Sequence, residues 1–399
     1  MLHNLHIETI IAVLSGVVAC CAGSAIAQES DAEKAAQLVA KLGHEDFQVR
    51  ENATTSLIEL GIPAKQVVET ATRSSDPEVR FRAQRILDTL IVQQQAQMLA
   101  AFAKDVDGEK GISLPGWDRF QEVAGTSAAS RDLFVQMHRS EWSLLHTVEK
   151  DPKKAATDFA RRCSELQNAL RYAREQITLG SVTALLFLAC DERMDVPDST
   201  GAMLYSFCYQ NAFKSAIESG KHRDTLRTLL GNWVRSSDGA WTAYQSLMMA
   251  MRYNLKEGLS PAEKMLAAGA NTPQHYKQYA LLAIAKLGTL ENLSIVERSY
   301  SDKTVCSRQT VRNGNDRSEY QTQIRDVALV AAIHLHGKNP KDFGFKRATS
   351  NSQYLYSTST LGFQKEEERD AAFTKWLEHL ASLEPKEDSK PDSGDDSTS

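Results

Sequence analysis

The sequence predicts an all-α chain in which antiparallel helix pairs stack into an α-α superhelix, with irregular loops in its C-terminal half. Three observations carry that expectation. A helical motif occurs twice at a fixed spacing, apolar residues recur at helical intervals through most of the chain, and alternating β-branched runs are scarce. Only 21 Gly and 10 Pro interrupt the 399 residues.

The motif is D-x-x-V-R-x-x-A-x-x-x-L. Its first copy is Asp46, Val49, Arg50, Ala53 and Leu57; its second is Asp76, Val79, Arg80, Ala83 and Leu87, each 30 residues later. Each aspartate is placed to cap the free N–H groups of a helix, and Pro77 stands at a first helical position, where its missing N–H costs nothing. Val, Ala and Leu at i, i+4 and i+8 share one face, with alanine admitting a close neighbour. Between the copies Gly61-Ile62-Pro63 marks a turn, and 64–72 forms a second helix with Val67, Val68 and Ala71 inward. Such a period is the sign of stacked supersecondary units.

These residues resemble the HEAT/armadillo family of α-solenoids, the match covering residues 38–90. The resemblance implies that Asp46, Arg50, Asp76 and Arg80 are structural, the aspartate and arginine of successive units forming an ion-pair ladder. The wider chain resembles uncharacterised secreted HEAT-repeat proteins of planctomycete bacteria, through Leu114–Phe120, Ile324–Leu329, Pro340–Phe345 and Glu368–Ala372. That likeness implies export and no particular activity.

Residues 1–27 read as a signal peptide: Ile10 to Ala19 is an apolar core and Ala25-Ile26-Ala27 a cleavage site, although 1–8 contain no Lys or Arg. A second reading takes Val17-Val18-Ala19-Cys20 as a lipobox, which leaves Cys20 lipidated. A third keeps 10–27 as an uncleaved anchor. All three place the body outside the cytoplasm, in the periplasm or beyond, with any membrane link at the N-terminus.

Residues 31–104 form the HEAT-like repeat region, its last helix running from Pro77 through Leu90 and Met98 to Phe102. The stretch 105–115, with Gly108 and Gly111, is the boundary, and 114–383 form a helical, armadillo-like domain. Its expected helices cover 130–148, one opened by Asp151-Pro152, and 182–190, 199–219, 223–235, 239–253, 261–268, 273–287 and 290–300. Phe159, Cys163, Leu166, Leu170, Ala173 and Ile177 follow a 4-3 spacing that makes a packing seam. Gly220, Gly269 and Gly288 suit left-handed helix ends. Residues 301–319 read as a polar loop with Lys303, Arg308, Arg312 and Arg317, and Asn313-Gly314 as a turn within it. Helix is expected to resume at Tyr320, with a weak third motif copy that puts Gln321 in the aspartate slot. A second loop spans 338–362 and a last helix 365–383. The tail 384–399 holds six acidic residues and two lysines and is expected to be disordered.

The formal charge is −5, and the tail supplies most of it, so the body is nearly neutral; this argues against a nucleic-acid protein. No nucleophile elbow, phosphate-binding loop or zinc-protease motif is present. His334 and His336, two apart on a helix, diverge too far to share an ion. His138 and His146 lie on one helix face without a carboxylate between them. Asp191-Glu192 read as solvated, and Met248, Met249 and Met251 as core. Cys163, Cys190 and Cys208 sit in apolar runs, a disulfide among them remaining open, and Cys306 is the exposed thiol. No catalytic, cofactor or metal residue is assigned. The expected function is a non-enzymatic interaction scaffold of the cell envelope, binding a protein or peptide. The alternatives are an enzyme or carbohydrate-binding protein with a pocket in 114–383, and a structural component tethered through Cys20.

Overall fold

In the computed structural model, residues 31–173, 177–313 and 316–383 are described. The signal-peptide and lipobox expectations, Cys20 included, and the tail 384–399 lie outside them. The described chain is mostly helical, and none of its helices is long and apolar enough to cross a membrane. It divides into two compact units, with the boundary in sequence between Leu114 and Pro115.

The first unit contains α1 (31–40), α2 (Phe47–Leu60), a 3-10 turn at Ile62–Ala64, α3 (Lys65–Ala71) and α4 (Pro77–Lys104). Both motif aspartates act as caps: Asp46 accepts from Gln48 N, and Asp76 from Glu78 N and Val79 N. Both motif arginines reach back to the two carbonyls ahead of their cap, Arg50 to His44 and Glu45, Arg80 to Ser74 and Ser75. The inter-copy pairing differs from the one the resemblance implies. Arg50 pairs with Glu78 at 3.1 Å, and Arg82 joins Glu78 and Glu51 at 2.7 and 2.8 Å. The aspartates are occupied with backbone N–H groups, so the glutamates beside them take the arginines. Ala53, Leu57, Val68, Ala71, Ala83, Ile86 and Leu90 form one core with Ala35 and Leu42, while Val49, Val67, Val79 and Leu87 are only partly buried. In the second copy Ile86 takes the innermost place that Leu57 holds in the first.

The second unit contains α5 (Trp117–Ala124), α6 (Ala128–Lys150), α7 (Pro152–Asn168), α8 (Leu179–Ala189), α9 (Asp198–Cys208), α10 (Asn211–Ser219), α11 (Arg223–Ser236), α12 (Ala240–Tyr253), α13 (Leu259–Ala267), α14 (Gln274–Leu287) and α15 (Leu293–Glu297). They are followed by β1 (Val305–Asn313), β2 (Asp316–Gln323), α16 (Ile324–Leu335), β3 (Ser350–Asn351), β4 (Leu355–Tyr356) and α17 (Glu366–Leu383). The apolar α8 is buried along nearly its whole length, which suits its uniformly hydrophobic sequence.

Several expectations are corrected. The polar stretch 301–319 is chiefly an antiparallel hairpin, with Val305 opposite Gln323 and Asn313 opposite Asp316. The following helix starts at Ile324 and not at Tyr320. Its cap is Gln323, whose N–H donates to Asp326, while Gln321 lies in β2. The span 199–219 is two helices, and 290–300 is a 3-10 turn followed by the short α15. The seam ends early, because α7 gives way to a π-turn at Ala169–Ala173. Gly220 and Gly288 have φ of −77° and −90°, so neither is left-handed. Both are needed for space: a Cβ would meet the Ala216 carbonyl oxygen at 2.9 Å and the Ile284 carbonyl oxygen at 2.7 Å.

Helix α6 is kinked at Glu141 (φ −134°, ψ 41°). One turn earlier, Gly180 presses on it so closely that a Cβ would lie 2.2 Å from the Gln136 carbonyl oxygen. The Glu141 carboxylate is buried, clasped by Arg162 at 2.9–3.1 Å and by the Ser181 hydroxyl at 2.6 Å.

Candidate binding face

The residues singled out in the sequence do not converge. Met248, Met249 and Met251 are core. His334 meets the Tyr356 hydroxyl at 3.4 Å, whereas His336 packs edge-on against Trp376. His138 and His146 flank Trp142, with ring centroids 5.8 Å apart, and burial pushes His138 down to about 4. Cys163, Cys190, Cys208 and Cys306 are free thiols. Cys306 is not exposed: it is half-buried in β1 beside the Thr322 carbonyl, and burial pushes its thiol up to about 12. Asp191 is not solvated either. Arg119 and Arg193 hold its carboxylate at 2.5 and 2.8 Å and keep it below its ordinary range against the cost of burial. It borders a cavity of about 480 Å³ that also takes in Glu192, Asp195, Asp198 and Asp238. Of these, Asp198 caps α12 through Thr242 N, and Asp238 pairs with Lys264.

A group of rings that the sequence reading did not assemble does converge. Tyr205 and Tyr209 sit one turn apart on α9, their hydroxyls 3.2 Å from each other. Trp241 and Tyr244 come from α12, and His275, Tyr276 and Tyr279 from α14, which packs beside it. Tyr244 stacks on Tyr276 at 4.5 Å and an interplanar angle of 14°. Tyr279 meets Tyr354 at 5.1 Å, and the Gln353 amide reaches the Tyr209 hydroxyl at 3.5 Å, which closes the group. Arg252 lies over Tyr209 at 5.1 Å. Trp241 and His275 are exposed, and Tyr205, Tyr209, Tyr244, Tyr279 and Tyr354 are half-buried.

The turn that delivers Tyr354 is built for it. Asn351 Oδ1 accepts from Gln353 N and Tyr354 N, and Lys286 donates to the Ser352 and Gln353 carbonyls at 2.8 Å. Leu355 holds φ +70°, a left-handed backbone that costs a branched residue about 1–2 kcal/mol. Burial pushes the Tyr244 phenol up to about 12 and raises Tyr205, Tyr279 and Tyr354, so all stay protonated donors at neutral pH. The spacings Tyr205/Tyr209 and Tyr276/Tyr279 are legible as helix faces. Their meeting with Tyr244 and Tyr354 depends on tertiary packing.

No family model matches the chain, and no curated protein or solved structure matches it at a significant level.

Proposed function

We propose that this chain is a non-enzymatic binding protein, an exported HEAT/armadillo-like α-solenoid that serves as an interaction scaffold in the cell envelope and receives a protein or peptide partner on its tyrosine face. The observation that carries this reading is the Tyr205–Tyr209–Tyr244–Tyr276–Tyr279–Tyr354 array with Arg252 at its edge. Tyrosine offers a wide, stiff, amphipathic contact with little entropy to lose, and Tyr, Trp and Arg dominate the energetics of protein interfaces. Phenol hydroxyls that remain donors suit the carbonyl-rich edge of an extended chain.

The reading is tested with a photo-crosslinking residue at His275, compared with one at Arg161, an exposed position on α7. A discrete adduct from position 275 alone is expected. Tyr244→Ala with Tyr279→Ala should weaken the recovered partner roughly thirtyfold, about 2 kcal/mol, with the thermal melt retained. Equal adducts from both positions, or unchanged affinity in the double variant, would reject the face.

A further inference from the structure

We propose that a second site, between the β1–β2 hairpin and α17, binds an organic carboxylate with an apolar body. A cavity of about 350 Å³ opens there, near the lower end of the range for small-molecule pockets. Phe343 and Phe363, each 6% exposed, line it with Ala372. Lys346, Arg347 and Lys375 supply positive charge, and Glu368 the opposing carboxylate.

Arg347 is the centre of the site. Its guanidinium carbon lies over Tyr320, 3.7 Å from the ring centroid, and Nη2 donates to the Gln309 side chain. Both supports come from the hairpin. Nη1 is shielded from solvent and has no hydrogen-bond partner. A charged donor left in that state costs at least about 1–3 kcal/mol, which an entering oxygen recovers once the guanidinium turns that nitrogen toward the cavity. Among the described residues, neither Arg347 nor Lys346 nor Lys375 is paired with a carboxylate.

The walls select the rest of the ligand. A planar guanidinium edge matches a carboxylate, and the apolar wall formed by Phe343, Phe363, Ala371 and Ala372 suits an apolar body. A bare phosphate would satisfy the lysines and leave the apolar wall without a partner. The acidic segment 384–399 could supply carboxylates from the same chain, but apart from two prolines it carries no apolar side chain to lie against that wall. A free arylalkanoic acid and the C-terminal carboxylate of a peptide ending in an apolar residue share the required chemistry.

Calorimetric titration of the full chain with 3-phenylpropionate, Gly-Gly-Phe and 3-phenylpropionamide tests the proposal. Both acids are expected to saturate and the amide to give no heat, and the tighter acid identifies the source. Arg347→Ala should weaken the acids at least tenfold. Ala371→Trp, at an exposed position on the cavity wall, should do the same without disturbing the hairpin. The proposal is overturned if the amide matches the acids, if Ala371→Trp binds normally, or if no acid saturates at about 10 mM.

Discussion

The two units use arginine in opposite ways. In the repeat unit Arg82 is the most buried of the paired arginines, yet its partners Glu51 and Glu78 are 41% and 43% exposed. In the second unit Arg369, with its side chain 4% exposed, meets Asp326 at 0%, and Arg162 meets a Glu141 that is 4% exposed. Pairs open to water contribute little, and their loss is buffered by solvent. Enclosed pairs add little net stability over apolar residues of the same shape, but removing one member strands a charge. The repeat is therefore held by its apolar seam and its caps. The second unit has enclosed polar pairs that join α6 to α7 and α16 to α17.

Arg369→Met sharpens this contrast most. It should cost about 3 kcal/mol in denaturant unfolding at pH 7, since Asp326 keeps only the Gln323 N–H and a more distant Arg325. Burial already pushes Asp326 up to about 6 against those partners. The variant should thus regain stability at pH 5, where the stranded group takes a proton. Loss of the same size in Arg82→Met would erase the distinction.

His138 gives the next effect. Its folded pKa of about 4 lies below the ordinary 6.5, so the unfolded chain binds the proton first as the medium is acidified. Its contribution is fully present above pH 6.5 and is lost as the pH falls toward 4, about 3 kcal/mol in all. Asp326 works in the reverse sense over an overlapping window: the folded state holds a proton that the unfolded state has released, so stability falls as pH rises from 3.8 to about 6. Comparing wild type with His138→Phe across pH 4–7 isolates the histidine. A difference that does not grow toward acid would refute its buried neutral state.

Asp76→Ala should cost about 1 kcal/mol of unfolding free energy by leaving Glu78 N and Val79 N uncapped. Glu78→Gln, which removes a half-exposed carboxylate from Arg50, Arg82 and the first turn of α4, should cost less than the cap. A larger loss would place the strength of the repeat in its charges.

Most helix positions, the spaced motif, its caps and the buried α8 were legible because each rests on local spacing. The hairpin was not. Ser307, Gln309, Val311, Ser318 and Tyr320 face inward and alternate with exposed Arg308, Thr310, Arg312, Arg317 and Glu319. The period of two is present, but the inner set is mostly polar, so no hydrophobic alternation announces it. Asn313-Gly314 was the available signal, since that pair favours a hairpin connection as well as a loop. The Asp326–Arg369 and Glu141–Arg162 pairs join residues 43 and 21 apart, beyond what helical periodicity reports. Of the tyrosine face, only the helical spacings Tyr205/Tyr209 and Tyr276/Tyr279 were legible, since the meeting of these helices is tertiary.

The hairpin also leaves and rejoins the helical body at one place. Val305 stands opposite Gln323, and Ile324 N and Arg325 N donate to the carbonyls of Thr304 and Asp302 at 2.9 Å. An excursion whose two ends are already joined can be gained, lost or lengthened in a single genetic event without re-spacing α15 and α16. Such a loss would remove Gln309 and Tyr320, the supports of Arg347, and if it reached Gln321 it would also take the backbone that pairs with Phe363 and accepts from Arg369. In lineage terms, the outer rungs of the hairpin can vary while its base stays tied to Phe363 and Arg369.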